Sequence, residues 1–224
     1  MTEFDSFAAD YEKVHARNVR VTGETSEYFA AYKAAYIARK VARHGGTKIL
    51  DYGCGVGLLA RHLRRCVPGV QIDGFDVSQD SLARIDKPLL SQGVFTSELS
   101  ELGDRYDIIV FSNVLHHVRP EERESLVAQT GARLPAGGKL VVFEHNPVNP
   151  LTRWAVAHCP FDENAVLLRP REIYRYLQSG GLRLVGRDYI VFFPRWLRWF
   201  RPLEPFLRWC PLGAQYVVVS EKFA

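Results

Sequence analysis

Apolar residues along this chain follow a helical period at first and then alternate between strand and helix periods. Phe4, Phe7, Ala8 and Tyr11 recur at i, i+3, i+4 and i+7, so they share one helix face. Tyr28, Phe29, Tyr32 and Tyr36 form a second stripe of the same kind. Residues 1–44 therefore read as helical, with a break around Thr22-Gly23. The stripes have two readings, packing against a core or a lid over a ligand. From residue 48 onwards short apolar runs predict strands at 48–52, 70–76, 93–96, 107–112 and 139–143. Helices are predicted between them: from Leu58 to about Arg65, from Ser78 to about Asp86, and from Pro120 to about Leu134. The acids of Pro120-Glu-Glu122 suit the positive end of a helix dipole. Arg171–Leu177 reads as a further helix ending at Gly180-Gly181, and Leu182–Phe193 and Gln215–Phe223 read as the last two strands. Strands alternating with helices predict an α/β fold with parallel βαβ packing.

The first βα junction carries the clearest chemistry. Lys48-Ile-Leu-Asp-Tyr-Gly-Cys-Gly-Val-Gly57 is a buried strand closed by Asp51, then a turn in which Gly53, Gly55 and Gly57 permit sharp bending and close ligand approach. A helix follows, and its N-terminal N–H groups face that turn. The spacing is G-x-G-x-G, whereas the dinucleotide fingerprint is G-x-G-x-x-G. Asp51 stands two residues before the first glycine, where a pyrophosphate would gain nothing from it. A ligand with an ammonium group and no phosphates would, and S-adenosylmethionine is such a ligand. The second strand ends at Asp76, 25 residues after Asp51, where an acid can accept both ribose hydroxyl hydrogens.

Composition narrows the setting. A chain of 224 residues with 47% hydrophobic content suits one domain with an appended cap. Cys54, Cys66, Cys159 and Cys210 are scattered without a C-x-x-C pair, so neither a disulfide framework nor a zinc site is expected. No basic stretch followed by an apolar run opens the chain, and no run approaches the roughly 20 apolar residues of a spanning helix. A cytoplasmic location is expected. The net charge of +4 is uneven: between Arg183 and Arg208 stand six arginines against Asp188 and Glu204. Trp196, Trp199 and Trp209 are interleaved with them. The stretch lies between the last two strands, where a short hairpin would suffice. It reads as a helical cap, as a segment 195–209 that contacts an anionic membrane, or as a partner surface. The chain lacks a broad basic stripe, so no nucleic-acid partner is expected.

The chain resembles the class I S-adenosylmethionine-dependent methyltransferases over almost its whole length, most strongly across residues 48–145. The motifs carrying the resemblance are Ile49–Gly57, Gly74-Phe-Asp-Val-Ser78, Tyr106-Asp-Ile-Ile-Val-Phe-Ser-Asn-Val-Leu-His-His-Val118 and Leu134-Pro-Ala-Gly-Gly-Lys-Leu140, in that order. The resemblance implies a Rossmann-like, doubly wound seven-stranded sheet with a reversed last strand. It divides the chain into an N-terminal helical lid, 1–44, and a methyltransferase domain, 45–224, with 194–211 inserted as a cap. It places Asp51 near the methionine ammonium and Gly53, Cys54, Gly55 and Gly57 under the cofactor. It places Asp76 on the ribose, Val77 on the adenine with Thr96 or Ser97 beside it, and Asn113 at the ligand-binding edge. Tyr11 matches a tyrosine that closes over the cofactor in such enzymes.

Methyl transfer to a hydroxyl requires alignment and removal of a proton, for which histidine is well suited. His117 follows the fourth strand and His145 the fifth, both at carboxyl ends flanking the switch point. Either could be the base, the resemblance also gives His117 a role in shaping the pocket, and Glu144 is placed to orient an imidazole or, equally, to be buried and paired elsewhere. His145 reads as part of a polar loop bounded by prolines. The substrate side is expected to draw on Trp154 and Phe161 in the loop Asn146–Leu168, and on Phe193 and Trp196 at the cap. Their apolar character favours a small organic or lipid-like acceptor, methylated at oxygen. Nitrogen and carbon acceptors, and an inactive cofactor-binding partner module, remain alternatives. No histidine–acid cluster has the spacing of a metal site, so no metal is expected.

Overall fold

The computed structural model describes residues 23–42, 46–159 and 164–223. The Phe4–Tyr11 stripe, and with it Tyr11, lies outside the described residues, as does Phe161. The helix α1 spans Ser26–Lys40, with the Thr25 hydroxyl accepting the Tyr28 N–H at its start. The strands are β1 Lys48–Tyr52, β2 Gln71–Phe75, β3 Phe95–Thr96, β4 Ile108–Ser112, β5 Lys139–His145, β6 Leu182–Ile190 and β7 Gln215–Lys222. Between them run α2 Leu58–Cys66, the short α3 Gln79–Leu82 and α4 Lys87–Leu90, then α5 Pro120–Ala132, α6 Pro150–Ala157, α7 Pro170–Ser179 and α8 Glu204–Leu207.

All seven strands belong to one sheet in the order β3-β2-β1-β4-β5-β7-β6. The first five pair in parallel, and β7 runs antiparallel to both β5 and β6. This is the Rossmann-like sheet with a reversed last strand that the resemblance implies. Side chains alternate between the two faces, as the strand period of two requires. Ile49, Val110, Val141, Phe143 and Val217 pack under α1 and α2. Leu50, Ile109, Phe111, Val142 and Tyr216 pack with Val127 of α5 and Ile173 and Leu177 of α7. Each fully buried side chain of this size contributes roughly 1.5–3 kcal/mol. The sheet is therefore a rigid platform, and its register sets the carboxyl ends of β1, β4 and β5 side by side.

Three expectations are corrected, each by local chemistry. The helix predicted over 78–86 ends at Leu82, and a second short helix, Lys87–Leu90, starts beyond it where the Asp86 carboxylate accepts the Leu89 N–H beside Pro88. The stretch Asn146–Leu168, expected as a loop, contains α6, whose first turn is capped by the Asn149 side chain ahead of Pro150. His145 ends β5 instead of lying in a loop, because β7 continues the ladder and pairs Glu144 with Tyr216 and His145 with Gln215.

Candidate active site

The glycine turn leaves β1 and folds back over its carboxyl end. Gly53, Gly55 and Gly57 all have positive φ, at 77°, 52° and 74°. At Gly53 a Cβ would stand 2.5 Å from Val114 Cγ2, so a side chain there would push the turn away from the segment after β4. The Gly53 and Cys54 N–H groups both donate to the Phe75 carbonyl, at 2.7 and 2.9 Å. The turn is thereby tied to the end of β2, where Asp76 follows. One Asp76 oxygen accepts the Gly55 N–H at 2.7 Å and the other the Ser78 N–H at 2.9 Å. An ionised carboxylate offers about four lone-pair sites, more than these two N–H groups occupy.

Asp51 is buried, and neither of its oxygens makes a hydrogen bond of normal geometry. Its pKa is pushed up to about 7, mainly by burial and further by repulsion from Asp76, with Lys33 and the Ala60 N–H offsetting only part. Lys33 projects from α1 into the same cavity, donates to the Ser112 hydroxyl at 2.9 Å, and lies over the Phe143 ring. Burial pulls its pKa down to about 8 against the pull of Glu144 and Asp51. A buried acid without a side-chain partner of normal hydrogen-bond geometry and a buried ammonium beside it match the two charged groups of an amino-acid end. Asp51 would hold the ammonium and Lys33 the carboxylate of S-adenosylmethionine, with Asp76 on its ribose. Cys54 also lines the cavity, and burial, with Asp51 and Asp76 adding to it, keeps its sulfur protonated.

Across the cavity three imidazoles gather at the ends of β4 and β5. His116 is buried, and its Nδ1 lies 2.5 Å from a Glu144 oxygen. The other Glu144 oxygen accepts the Leu115 N–H at 2.8 Å. Burial pushes the Glu144 carboxyl up, but His116, its hydrogen bond, His145 and the Leu115 N–H together hold it below the usual range. The expected acid–imidazole pair therefore exists, but its imidazole is His116. The rings of His117 and His145 sit 4.1 and 5.1 Å from that of His116, both half-buried and both on the cavity wall. The turn carrying His116 is fixed from behind. Its carbonyl accepts the Val166 N–H, and the buried Arg123 donates to the Val118 and Val166 carbonyls.

The cavity is about 910 Å³, at the upper end of small-molecule sites. Asp51, Gly53, Cys54, Gly55, Asp76, Val77, Asn113, His117, His145, Phe193 and Trp196 all line it. Asn113 holds a left-handed backbone, φ 61°, and its buried amide oxygen has no partner. Four expected residues stand off the wall. Gly57 caps α2 behind the turn. The Thr96 hydroxyl donates to Glu101 and accepts the Glu98 N–H, and the Ser97 hydroxyl accepts from Gln79. Trp154 stacks on His158, 4.5 Å between centroids, while Leu151, Thr152, Ala155 and Val156 of the same helix face the cavity. Lys33 is a further cavity residue whose sequence signal is a charge on an apolar stripe, at i+4 from Phe29 and i−3 from Tyr36. Glu122, Ser125, Leu126 and Gln129 of α5 also line the cavity, and their spacing marks one helix face.

A sheet of this order, with a buried acid beside a glycine turn and a second acid after β2, defines a class I S-adenosylmethionine-dependent methyltransferase. The chain belongs to the methyltransferase-domain family, whose sequence profile matches residues 25–186. It is 27% identical over 221 residues to the ubiquinone biosynthesis O-methyltransferase of Chelativorans sp. (strain BNC1), covering 87% of this chain and 83% of that protein. Among solved structures, magnesium protoporphyrin IX methyltransferase from Synechocystis PCC 6803, with bound S-adenosylhomocysteine, superposes with a TM-score of 0.68 at 16% identity. The match covers 98% of this chain and 96% of that one. An S-adenosylmethionine-dependent methyltransferase from Archaeoglobus fulgidus gives 0.66 at 16% identity, over 86% and 94% of the two chains.

Asp76→Ala is expected to weaken S-adenosylhomocysteine binding by about 1.5–3 kcal/mol, the scale of hydrogen bonds to a charged group. Calorimetric titration, with a melting curve to check that the Gly55 turn survives, measures it. Affinity unchanged in a folded variant would remove Asp76 from the ribose site.

Proposed function

We propose that the protein transfers the methyl group of S-adenosylmethionine to a hydroxyl oxygen of a small aromatic acceptor with an apolar substituent. The pair of cavity-facing imidazoles, His117 and His145, set around the buried His116–Glu144 pair, is the observation that carries this reading. A hydroxyl is the acceptor that needs a base, whereas a neutral amine does not. The relatives named as ubiquinone biosynthesis O-methyltransferases support the same acceptor atom.

When bound, the cofactor supplies an electrophilic methyl group on a sulfonium, a leaving group already activated by its charge. The chain's own residues do the rest. Asp51 and Lys33 fix the amino-acid end, and Asp76 fixes the ribose. His145, or His117 across from it, takes the acceptor's proton at an imidazole nitrogen. Glu144 and His116 hold that wall in place, and the Glu144 carboxylate favours the protonated imidazole that results. Leu126 of α5, Val156 of α6, Val191 and Phe193 exclude water from the acceptor. Residues 1–44 act as the lid: α1 already brings Phe29, Ala30 and Lys33 to the cavity.

Methyl-labelled S-adenosylmethionine, offered with a phenol bearing an isoprenoid tail, with the same phenol lacking the tail, and with its methyl ether, tests the reading. Label is expected as an aryl methyl ether, none from the blocked acceptor, and kcat/KM at least about tenfold higher with the tail, since each buried CH₂ is worth about 0.8 kcal/mol. Label on carbon or nitrogen, or equal use of the blocked acceptor, would refute oxygen transfer.

A further inference from the structure

The segment between β6 and β7 leaves the sheet through Val191, a β-branched residue held at φ 60°, and returns through Gly213. In between stand a 3₁₀ stretch, Arg195–Leu203, and α8. Its framework contacts are polar and point inward. The buried Glu204 carboxylate accepts the Phe192 and Phe193 N–H groups at 3.0 and 3.2 Å. Arg201 pairs with Glu24, and Arg208 with Asp188 at 3.6 Å. On the returning side, Asn146 and Asn149 donate to the Pro211, Gly213 and Leu212 carbonyls, which seats the segment beside α6.

The outward side is of the opposite character. Trp196, Trp199, Phe206 and Trp209 are 70–75% exposed. Large aromatic side chains left in water forgo the free energy of burying their apolar area, and a patch of this kind marks an interaction site. Arg195 and Arg198 are exposed with them, and Arg198 lies 4.9 Å over the Trp199 ring. Glu204, the one acid of 194–212, is buried at the base, so it does not offset these charges at the surface. Tryptophan with arginine, apolar area with uncompensated positive charge, is the composition that partitions into the headgroup layer of an anionic bilayer. The cap is also the rim of the cavity. Pro194 and Trp196 line it on one side, and Leu151 of α6, itself exposed, lines it on the other.

We propose that the outer side of 195–209, with the adjoining edge of α6, docks on an anionic membrane surface and sets the cavity mouth against the bilayer. An apolar acceptor dissolved in the membrane would then reach the cavity without crossing water. No helix among the described residues is long and apolar enough to span a membrane, so the contact is peripheral. The docking proposal concerns a surface and stands whether or not the acceptor atom is oxygen.

Flotation of the full chain with vesicles of phosphatidylcholine alone, and of phosphatidylcholine containing phosphatidylglycerol, tests it. Binding to the anionic vesicles is expected to exceed binding to the neutral ones at least tenfold and to weaken in high salt. It should be accompanied by a blue shift of tryptophan fluorescence. A Trp199→Ser, Trp209→Ser variant should lose at least tenfold of this binding. S-adenosylhomocysteine affinity and turnover of a water-soluble acceptor should stay at parent values. Arg198→Glu alone, which leaves every tryptophan in place, should lose the preference for anionic vesicles. Equal binding to both vesicles, or parent-like flotation of the variants, would overturn the proposal. So would vesicle-independent self-association that the tryptophan variant abolishes, since the patch would then cover a second copy of the chain.

Discussion

Replacing His145 by alanine is expected to lower kcat by about 10²–10⁴-fold, some 3–5 kcal/mol of barrier, while S-adenosylhomocysteine affinity stays within about twofold. His145 ends β5 on the cavity wall, and the residues assigned to the cofactor stand at β1, β2 and α1. Losing the imidazole removes a proton acceptor without touching Asp51, Lys33 or Asp76. Initial rates at saturating cofactor measure it, with calorimetry alongside. His117→Ala is the matched experiment, because its ring flanks His116 on the other side of the cluster. Full loss in one variant with full activity in the other names the base. Comparable losses in both that fail to add in the double variant would show that the cluster works as one unit. A rate within about threefold of parent in both, only about 0.7 kcal/mol, would leave alignment alone as the source of catalysis.

Asp51→Asn is expected to have two effects of opposite sign. Cofactor affinity should fall by roughly 10²-fold, as a buried carboxylate facing an ammonium becomes a neutral amide. The free protein should become more stable. The Asp51 pKa is raised in the fold from 3.8 to about 7, so the parent binds a proton more tightly folded than unfolded. Its stability is therefore highest below the unfolded value and is lost as pH rises through the folded one. At pH 8 the asparagine variant avoids that loss and should gain about 2 kcal/mol, less than the full shift because Lys33 loses a counter-charge. The gain should shrink as pH falls towards 4. Binding moves the other way. An ammonium favours ionised Asp51, so parent affinity should rise about tenfold between pH 6 and pH 8 and the variant's should not. Melting curves and titrations at the three pH values give both signs. A variant less stable at pH 8 with unchanged affinity would mean that Asp51 is a structural acid and no cofactor ligand.

The parts legible in the chain were those where one local rule decides. The glycine turn, the acids at the ends of β1 and β2, and the parallel order follow from strand–turn–helix punctuation, and β1 has the bounds that its apolar run predicts. The reversed last strand followed from the family resemblance. What could not be read was pairing at a distance. Glu144 could orient either neighbouring imidazole on paper. The choice of His116 depends on a turn after β4 that Arg123 and Val166 hold 28 residues away from the acid. His145 looked like a loop residue because β5's extension is dictated by β7, some 70 residues further on. Thr96 and Ser97 were placed by family position, and the hydroxyls turned instead to Glu101 and Gln79. Two further signals are local: the Asn149-Pro150 helix start, and Lys33 in an aromatic stripe.

The role given to the imidazoles is tested most directly by the pH dependence of kcat for two phenolic acceptors of the same shape. One carries an ordinary hydroxyl, and the other a hydroxyl acidified by two nitro groups so that it is ionised throughout the range. For the ordinary phenol, kcat should rise with pH through a single ionisation that disappears in the base-deficient histidine variant. For the ionised phenol, kcat should be flat and indifferent to the substitution. Identical profiles for the two acceptors, or a histidine variant that slows both equally, would contradict proton removal by the cavity histidines.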